Sequence, residues 1–232
     1  MIGKEQQLTE ENQVFNSFFK TGAESLNLFL SAEQLKLFML YWRELKQWNS
    51  VTNITAINSL RDTIIKHFLD SQSVVKSLPG TGRLADIGSG GGFPGIPIAI
   101  VRPALKIVLI EAARKKANFL RHVVRVLGLD AVDVLQGRAE ALDPGVLFDC
   151  IVGRAFSRME TFLKISTPLL AENGLVIAMK GKKSEQELRQ AEKELSRAQL
   201  SIVEERHFML PFHGGTRTIV VFKKNVSRET LT

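Results

Sequence analysis

The sequence predicts an α/β fold: a Rossmann-like, doubly wound sheet of seven strands with an antiparallel last strand, preceded by an N-terminal helical cap. Three observations carry this. The first 78 residues show apolar positions at helical spacing. From Arg83 onward, short apolar runs alternate with helical patterns, the signature of parallel strands joined by crossovers. The last two β-like segments are then joined by too few residues to hold a helix. The expected division is a cap over 1–78 and a sheet domain over 79–232.

The cap reads as three helices. Thr9 precedes Glu10 and a run containing Val14, Phe15, Phe18 and Phe19, which makes it an N-cap candidate. Ser31 with Gln34 three positions on forms a capping-box signature. After it Leu35, Phe38, Met39, Trp42 and Leu45 line one face of a helix lasting to about Trp48. Ser59 and Asp62 start a third helix, carrying Ile64, Ile65, Phe68 and Leu69. Each helix is too apolar on one side to stand alone, so all three are expected to pack on the following domain.

The strands fall at Leu84–Ile87, Ile107–Ile110, Val132–Leu135, Cys150–Val152, Leu175–Met179, Ser201–Met209 and Thr218–Phe222. A helical pattern from Lys115 to Leu127, stopped by Gly128, is the clearest crossover. Only Leu210–Arg217 separates the last two strands, so they should pair as an antiparallel hairpin. A seventh strand of that kind marks the methyltransferase (class I) variant of the doubly wound sheet; a dehydrogenase half would continue with parallel crossovers.

Bulk composition narrows the setting. In 232 residues, 44% hydrophobic content is enough for a packed core. No apolar run is long enough to cross a bilayer, and Met1 to Glu11 is polar and charged, unlike a signal peptide. Cys150 is the only cysteine, so neither an intrachain disulfide nor an all-cysteine metal site can form. A reducing, cytoplasmic location, no membrane partner, no metal and a monomeric state are the expectations. The net charge of +7, with a sequence pI near 9.6, makes a nucleic acid a candidate partner through counterion release. Many enzymes are mildly basic, so charge alone leaves that open.

The segment from Leu84 to Gly95 is a strand, a glycine-dense turn and the start of an apolar helix. Gly88, Gly90 and Gly92 allow left-handed backbone and close ligand approach. Five glycines in the eight residues from Gly88 argue against a tight turn without a ligand. Glu111 closes the next strand 23 residues beyond Gly88, where an acid accepts hydrogen bonds from the ribose hydroxyls of an adenosine cofactor. Asp86 stands just before the loop, unwelcoming to a pyrophosphate but suited to the cationic end of S-adenosylmethionine. Pro94 and Pro97 also depart from the dinucleotide fingerprint.

Other candidates lie at the expected carboxyl ends of strands, where doubly wound sheets bind ligands. Ala139 and Glu140 follow the third strand and suit the adenine edge, or a plain surface turn. Arg154 follows the fourth and Lys180 the fifth, with Lys182 and Lys183 beyond; they suit phosphates or the cofactor carboxylate, or solvated strand ends. Arg114, Lys115 and Lys116 oppose the dipole of the helix they begin, which suits RNA contact or simply a solvated face.

With these residues in place, the chain resembles the bacterial small-subunit ribosomal RNA guanine-N7 methyltransferases, the glucose-inhibited division protein B family. The resemblance runs from about Trp48 to Phe222. It rests on Asn53-Ile-Thr55, His67-Phe-Leu-Asp-Ser71, Asp86-Ile-Gly-Ser-Gly-Gly-Gly-Phe-Pro-Gly95, Arg138-Ala-Glu140, Arg154-Ala155 and Lys180-Gly181. It implies S-adenosylmethionine contacts from Gly88, Phe93, Ala139, Glu140 and Arg154, and a 16S rRNA or 30S subunit partner. Glu111 stands where the family often carries Asp, and Met179 where Leu is commoner.

Methyl transfer to guanine N7 needs no proton removed first, so no catalytic base is assigned and alignment provides the rate. The chain lacks the Asn/Asp-Pro-Pro-aromatic segment expected after the fourth strand for exocyclic amines. Cys150 lies within a strand, which argues against thiol attack on a pyrimidine. Phe156, Lys180, His67 and Arg217 are the substrate-side candidates. Phe156 suits base stacking or the core. His67 reads as cap-to-sheet packing, satisfied by Asp70 and Ser71, with an RNA-facing role in reserve. Three rivals stay open: a small-molecule methyltransferase, an NAD-dependent oxidoreductase, and a non-catalytic ribosome-binding protein of this fold.

Overall fold

The computed structural model describes residues 2–143, 145–154, 158–181 and 184–225. Seven strands form one sheet: β1 (Gly82–Ile87), β2 (Leu105–Glu111), β3 (Val132–Gln136), β4 (Phe148–Arg154), β5 (Leu170–Lys180), β6 (Leu200–Met209) and β7 (Thr216–Lys224). Their order is β3-β2-β1-β4-β5-β7-β6. Strands β1 to β5 pair in parallel, while β7 lies antiparallel to both β5 and β6. The expected terminal hairpin is present, and its second strand inserts between β5 and the edge.

The cap begins with α1 (Ile2–Ser25) and α2 (Ala32–Asn49). Thr9 falls inside α1, so it is not the N-cap the sequence suggests; the polar residues before it continue the helix. At α2 the capping box forms as expected: Ser31 Oγ accepts from the Gln34 amide at 3.1 Å, and Gln34 Oε1 accepts from the Ser31 amide at 2.9 Å. All five apolar positions read from the sequence are buried. The third helix is irregular. Single turns α3 (Leu60–Thr63) and α4 (Asp70–Gln72) flank a π-helix at Ile64–Leu69, in which the Asp70 amide donates to the Ile65 carbonyl five residues back.

On the sheet, α5 (Gly95–Val101) and α6 (Arg114–Val126) lie on the cap side; α7 (Met159–Ser166) and α8 (Ser184–Arg197) cover the opposite face. Gly128, at φ 62°, ends α6 with a left-handed turn that a side chain would disfavour. One core runs from Phe15, Phe19 and Phe38 of the cap through Phe68 to Leu109, Val152 and Val221 of the sheet. The aromatic rings interlock: Phe19 meets Phe38 edge-on at 4.8 Å and Phe38 meets Phe68 at 5.0 Å. The cap thus packs directly over the carboxyl ends of the central strands. Among the described residues no helix is long and apolar enough to cross a membrane.

Candidate functional site

The glycine loop connects β1 to α5, and its residues divide by what surrounds them. Gly88 is exposed and Gly90 half-buried, both with left-handed backbone (φ 72° and 59°). A side chain at Gly90 would meet nothing closer than the Gly88 carbonyl oxygen at 3.8 Å, so this face of the loop is open to a ligand. Gly92 and Gly95 are small for a different reason. A Cβ on Gly92 would lie 2.5 Å from Ile96 Cδ1, and one on Gly95 would lie 2.2 Å from Leu109 Cδ2. Gly92 therefore serves packing under the cap rather than the open face.

Two acids hold the loop from below. Glu111 Oε2 accepts from the Gly90 amide at 2.8 Å, and its Oε1 accepts from the Ala113 amide at 2.7 Å. Each oxygen keeps a further lone pair, which suits a ribose diol at the loop's open edge. Asp86 is fully buried; its Oδ2 accepts from the Gly95 amide at 2.9 Å, while Oδ1 has no partner among the described residues. Burial pushes its carboxyl up to about 7. A buried acceptor with nothing to accept fits a cationic donor placed above the loop.

Above the loop sits the cap. Tyr41 of α2 is buried and donates its hydroxyl to the Gly91 carbonyl. Desolvation holds that phenol well above its ordinary range. Asn49, at the end of α2, ties down the next segment: its Oδ1 accepts from the amides of Ile54 (2.8 Å) and Thr55 (3.0 Å). The ring of Phe93 is almost fully buried, stacked on His67 at 4.1 Å and on Tyr41 at 5.4 Å. A contact from Phe93 to a cofactor would therefore come from its backbone.

Arg154, at the end of β4, is the centre of the arrangement. Its Nη1 donates to the Lys66 carbonyl (2.9 Å) and to Asp70 Oδ2 (3.2 Å), and its Nη2 donates to His67 Nδ1 (3.1 Å). Its guanidinium lies 5.1 Å from the Phe93 ring centre. Arg217, at the start of β7, donates from Nε to Asp70 Oδ1 at 2.8 Å. Burial first, and Arg154 second, push the His67 imidazole down to about 3, so the ring is neutral. Arginine can only donate, so Nδ1 accepts and Nε2 carries the proton toward Thr55 Oγ1, 2.8 Å away. The sequence reading paired His67 with Asp70 and Ser71. Thr55 and Arg154 take that place, and Asp70 is drawn to the two arginines instead.

Around these residues a cleft of about 400 Å³ is lined by Lys66, His67, Asp70, Arg154, Lys180 and Arg217, among others. Lys180 is buried, with Nζ 2.6 Å from Glu187 Oε2 of α8. Ala139 is buried in a 3-10 turn and Glu140 beside it is exposed, both just past β3. Phe156, Lys182 and Lys183 lie outside the described residues. Cys150 is buried in β4, where desolvation pushes its thiol well above the ordinary range, so it is protonated and inert. Among the described residues no cluster of metal-ligating side chains occurs.

Sequence reasoning missed Asp70 as the partner of two arginines, Tyr41 and Asn49. A signal for Asp70 was present: an acid amid Phe68, Leu69 and a buried helix face must find a counter-charge.

Comparison with known proteins bears on the fold and the family. Among solved structures, the tRNA methyltransferase TrmK of Bacillus subtilis superposes with a TM-score of 0.56 at 17% identity, covering 67% of this chain and 65% of that one. TYW2 of M. jannaschii, solved in complex with AdoMet, gives 0.53 at 13% identity, covering 66% and 73%. These likenesses establish the fold. Closer in sequence, the ribosomal RNA small subunit methyltransferase G of Geobacter sp. (strain M21) is 40% identical over 215 residues, 92% of this chain and 99% of that protein. The protein of the same name from Chromobacterium violaceum is 44% identical over 162 residues, 70% of this chain and 78% of that one. The family model for rRNA small subunit methyltransferase G matches residues 34–219. The chain belongs to the rRNA small subunit methyltransferase G family.

Proposed function

We propose that this protein transfers a methyl group from S-adenosylmethionine to N7 of a guanine in 16S rRNA of the small ribosomal subunit. The observation that carries the reading is an adjacency at the carboxyl end of the sheet. The open glycines, with Glu111 beneath them, lie next to a cleft lined by Lys66, Arg154, Lys180 and Arg217. Arg154 joins the two through its contact with Phe93.

Gly88 and Gly90 offer backbone amides at close approach. Glu111 takes the ribose hydroxyls, Ala139 and Glu140 flank the adenine, and Asp86 and Arg154 face the amino and carboxylate ends of the cofactor. Bound there, S-adenosylmethionine supplies an electrophilic methyl. Guanine N7 brings its own lone pair, so the residues have only to orient the base and exclude water. Neutral His67, with both ring nitrogens engaged, holds its neighbours in place and takes no proton. Lys180 and Arg217 stand on the substrate side, and the basic balance favours a polyanionic partner. On this reading residues 1–78 act as a cap over a cofactor-binding unit at 79–232, working as a monomer in the cytoplasm.

The test is methyl incorporation from labelled cofactor. Label should enter 30S subunits or 16S RNA and not free metabolites; the reverse result would make this a small-molecule methyltransferase.

A further inference from the structure

One carboxylate of the cap pairs with arginines on two strands of the sheet, and a π-helix immediately precedes it. Asp70 is almost fully buried, and its two oxygens are divided between Arg154 of β4 and Arg217 of β7. These strands lie on opposite sides of β5. The π-helix at Ile64–Leu69 comes immediately before Asp70. One extra residue in a helical turn rotates everything after it by about 100°, and such turns gather at functional sites. In a regular helix Asp70 would point in another direction. The loop before Arg217 is shaped to match: Phe212 and His213 both adopt left-handed backbone (φ 57° and 56°), and a side chain on Gly214 would lie 2.3 Å from Ile65 of the π-helix.

A buried carboxylate needs a counter-charge, and Asp70 meets a guanidinium at each of its two oxygens. Arg154 is then fixed on four sides: by Asp70, by the Lys66 carbonyl, by His67 Nδ1 and by the Phe93 ring. We propose that Asp70 is a positioning residue, which holds Arg154 in the orientation that receives the carboxylate end of the cofactor, with Arg217 anchoring the other carboxylate oxygen. The cofactor part of this rests on the function proposed above.

The experiment compares Asp70→Asn, Arg217→Met and the double variant in the full chain. It measures S-adenosylmethionine affinity by calorimetry, thermal stability, and the ¹⁵N resonances of the His67 ring. Asp70→Asn leaves two guanidiniums facing each other, and cofactor affinity should fall by at least about tenfold. The His67 Nδ1 resonance should move as Arg154 leaves it. Arg217→Met leaves Asp70 wholly to Arg154, so cofactor affinity should fall less than in Asp70→Asn. The double variant removes the repulsion and should recover much of the affinity lost in Asp70→Asn. Wild-type affinity and unchanged His67 resonances in Asp70→Asn would overturn the proposal. So would affinity falling in step with thermal stability in all three variants, without recovery in the double. If the wild type itself fails to bind S-adenosylmethionine, the cofactor reading falls. The His67 resonances still decide whether Asp70 holds Arg154.

Discussion

Glu111 and Gly90 are joined across the mouth of the sheet: the carboxylate that ends β2 accepts the amide hydrogen of a glycine on the loop's open face at 2.8 Å. The acid thus shapes the loop before any ligand arrives, and a change at Glu111 acts twice. Glu111→Gln replaces one acceptor oxygen with a donor, so either the Gly90 or the Ala113 amide loses its partner, at about 1–3 kcal/mol. The expected outcome is a lower melting temperature together with cofactor affinity weakened by at least about tenfold. Calorimetry with S-adenosylhomocysteine and a thermal melt measure both; unchanged affinity would remove Glu111 from the cofactor site.

The glycines of the loop should separate by substitution. Gly90→Ala meets open space and bears only a left-handed backbone, about 1–2 kcal/mol, so the protein should fold while cofactor binding is lost. Gly95→Ala drives a methyl into Leu109 and Asp86 and should reduce soluble, folded protein. Circular dichroism and cofactor titration of the two variants distinguish space kept for a ligand from space filled by the core.

Asp86 gives a pH signature. Its carboxyl is raised to about 7 by burial, so the folded state holds a proton that the unfolded state has released. Its contribution is present at low pH and is lost as pH rises from the ordinary carboxylate value of 3.8 toward 7. His67, depressed to about 3, tilts the opposite way between there and its ordinary 6.5, so the wild-type curve partly cancels. The difference between Asp86→Asn and wild type isolates Asp86. In urea melts it should shift in favour of the variant as pH rises from 5 to 7, at no more than about 1.4 kcal/mol per pH unit, then level off. A difference that stays flat across this range contradicts the assignment.

Ser31→Ala supplies a control away from the cleft. Removing the capping oxygen of α2 should cost about 1 kcal/mol and leave cofactor affinity at the wild-type level, as read from a denaturant melt and a titration.

What the sequence revealed follows from the range of the interactions involved. The capping box at Ser31 and Gln34, the stop at Gly128, the seven strands and the glycine loop are written in neighbouring residues or in a fixed period. Asp70 meets Arg154 and Arg217 from 84 and 147 positions away, and Tyr41 reaches Gly91 across 50. No local pattern encodes such pairs. The π-helix escaped for a related reason: Ile64, Ile65, Phe68 and Leu69 fit a regular helix equally well. The start of α1 was misplaced because Thr9 has the chemistry of a cap without the chain break that would make it one.

Mass spectrometry of 16S rRNA tests methylation of guanine N7 most directly. The RNA would come from cells with the gene, without it, and complemented with wild type or Gly90→Ala. One N7-methylguanosine should disappear on deletion, return with the wild-type protein and not return with Gly90→Ala. An unchanged set of methylated guanines in the deletion strain would contradict the proposed methylation.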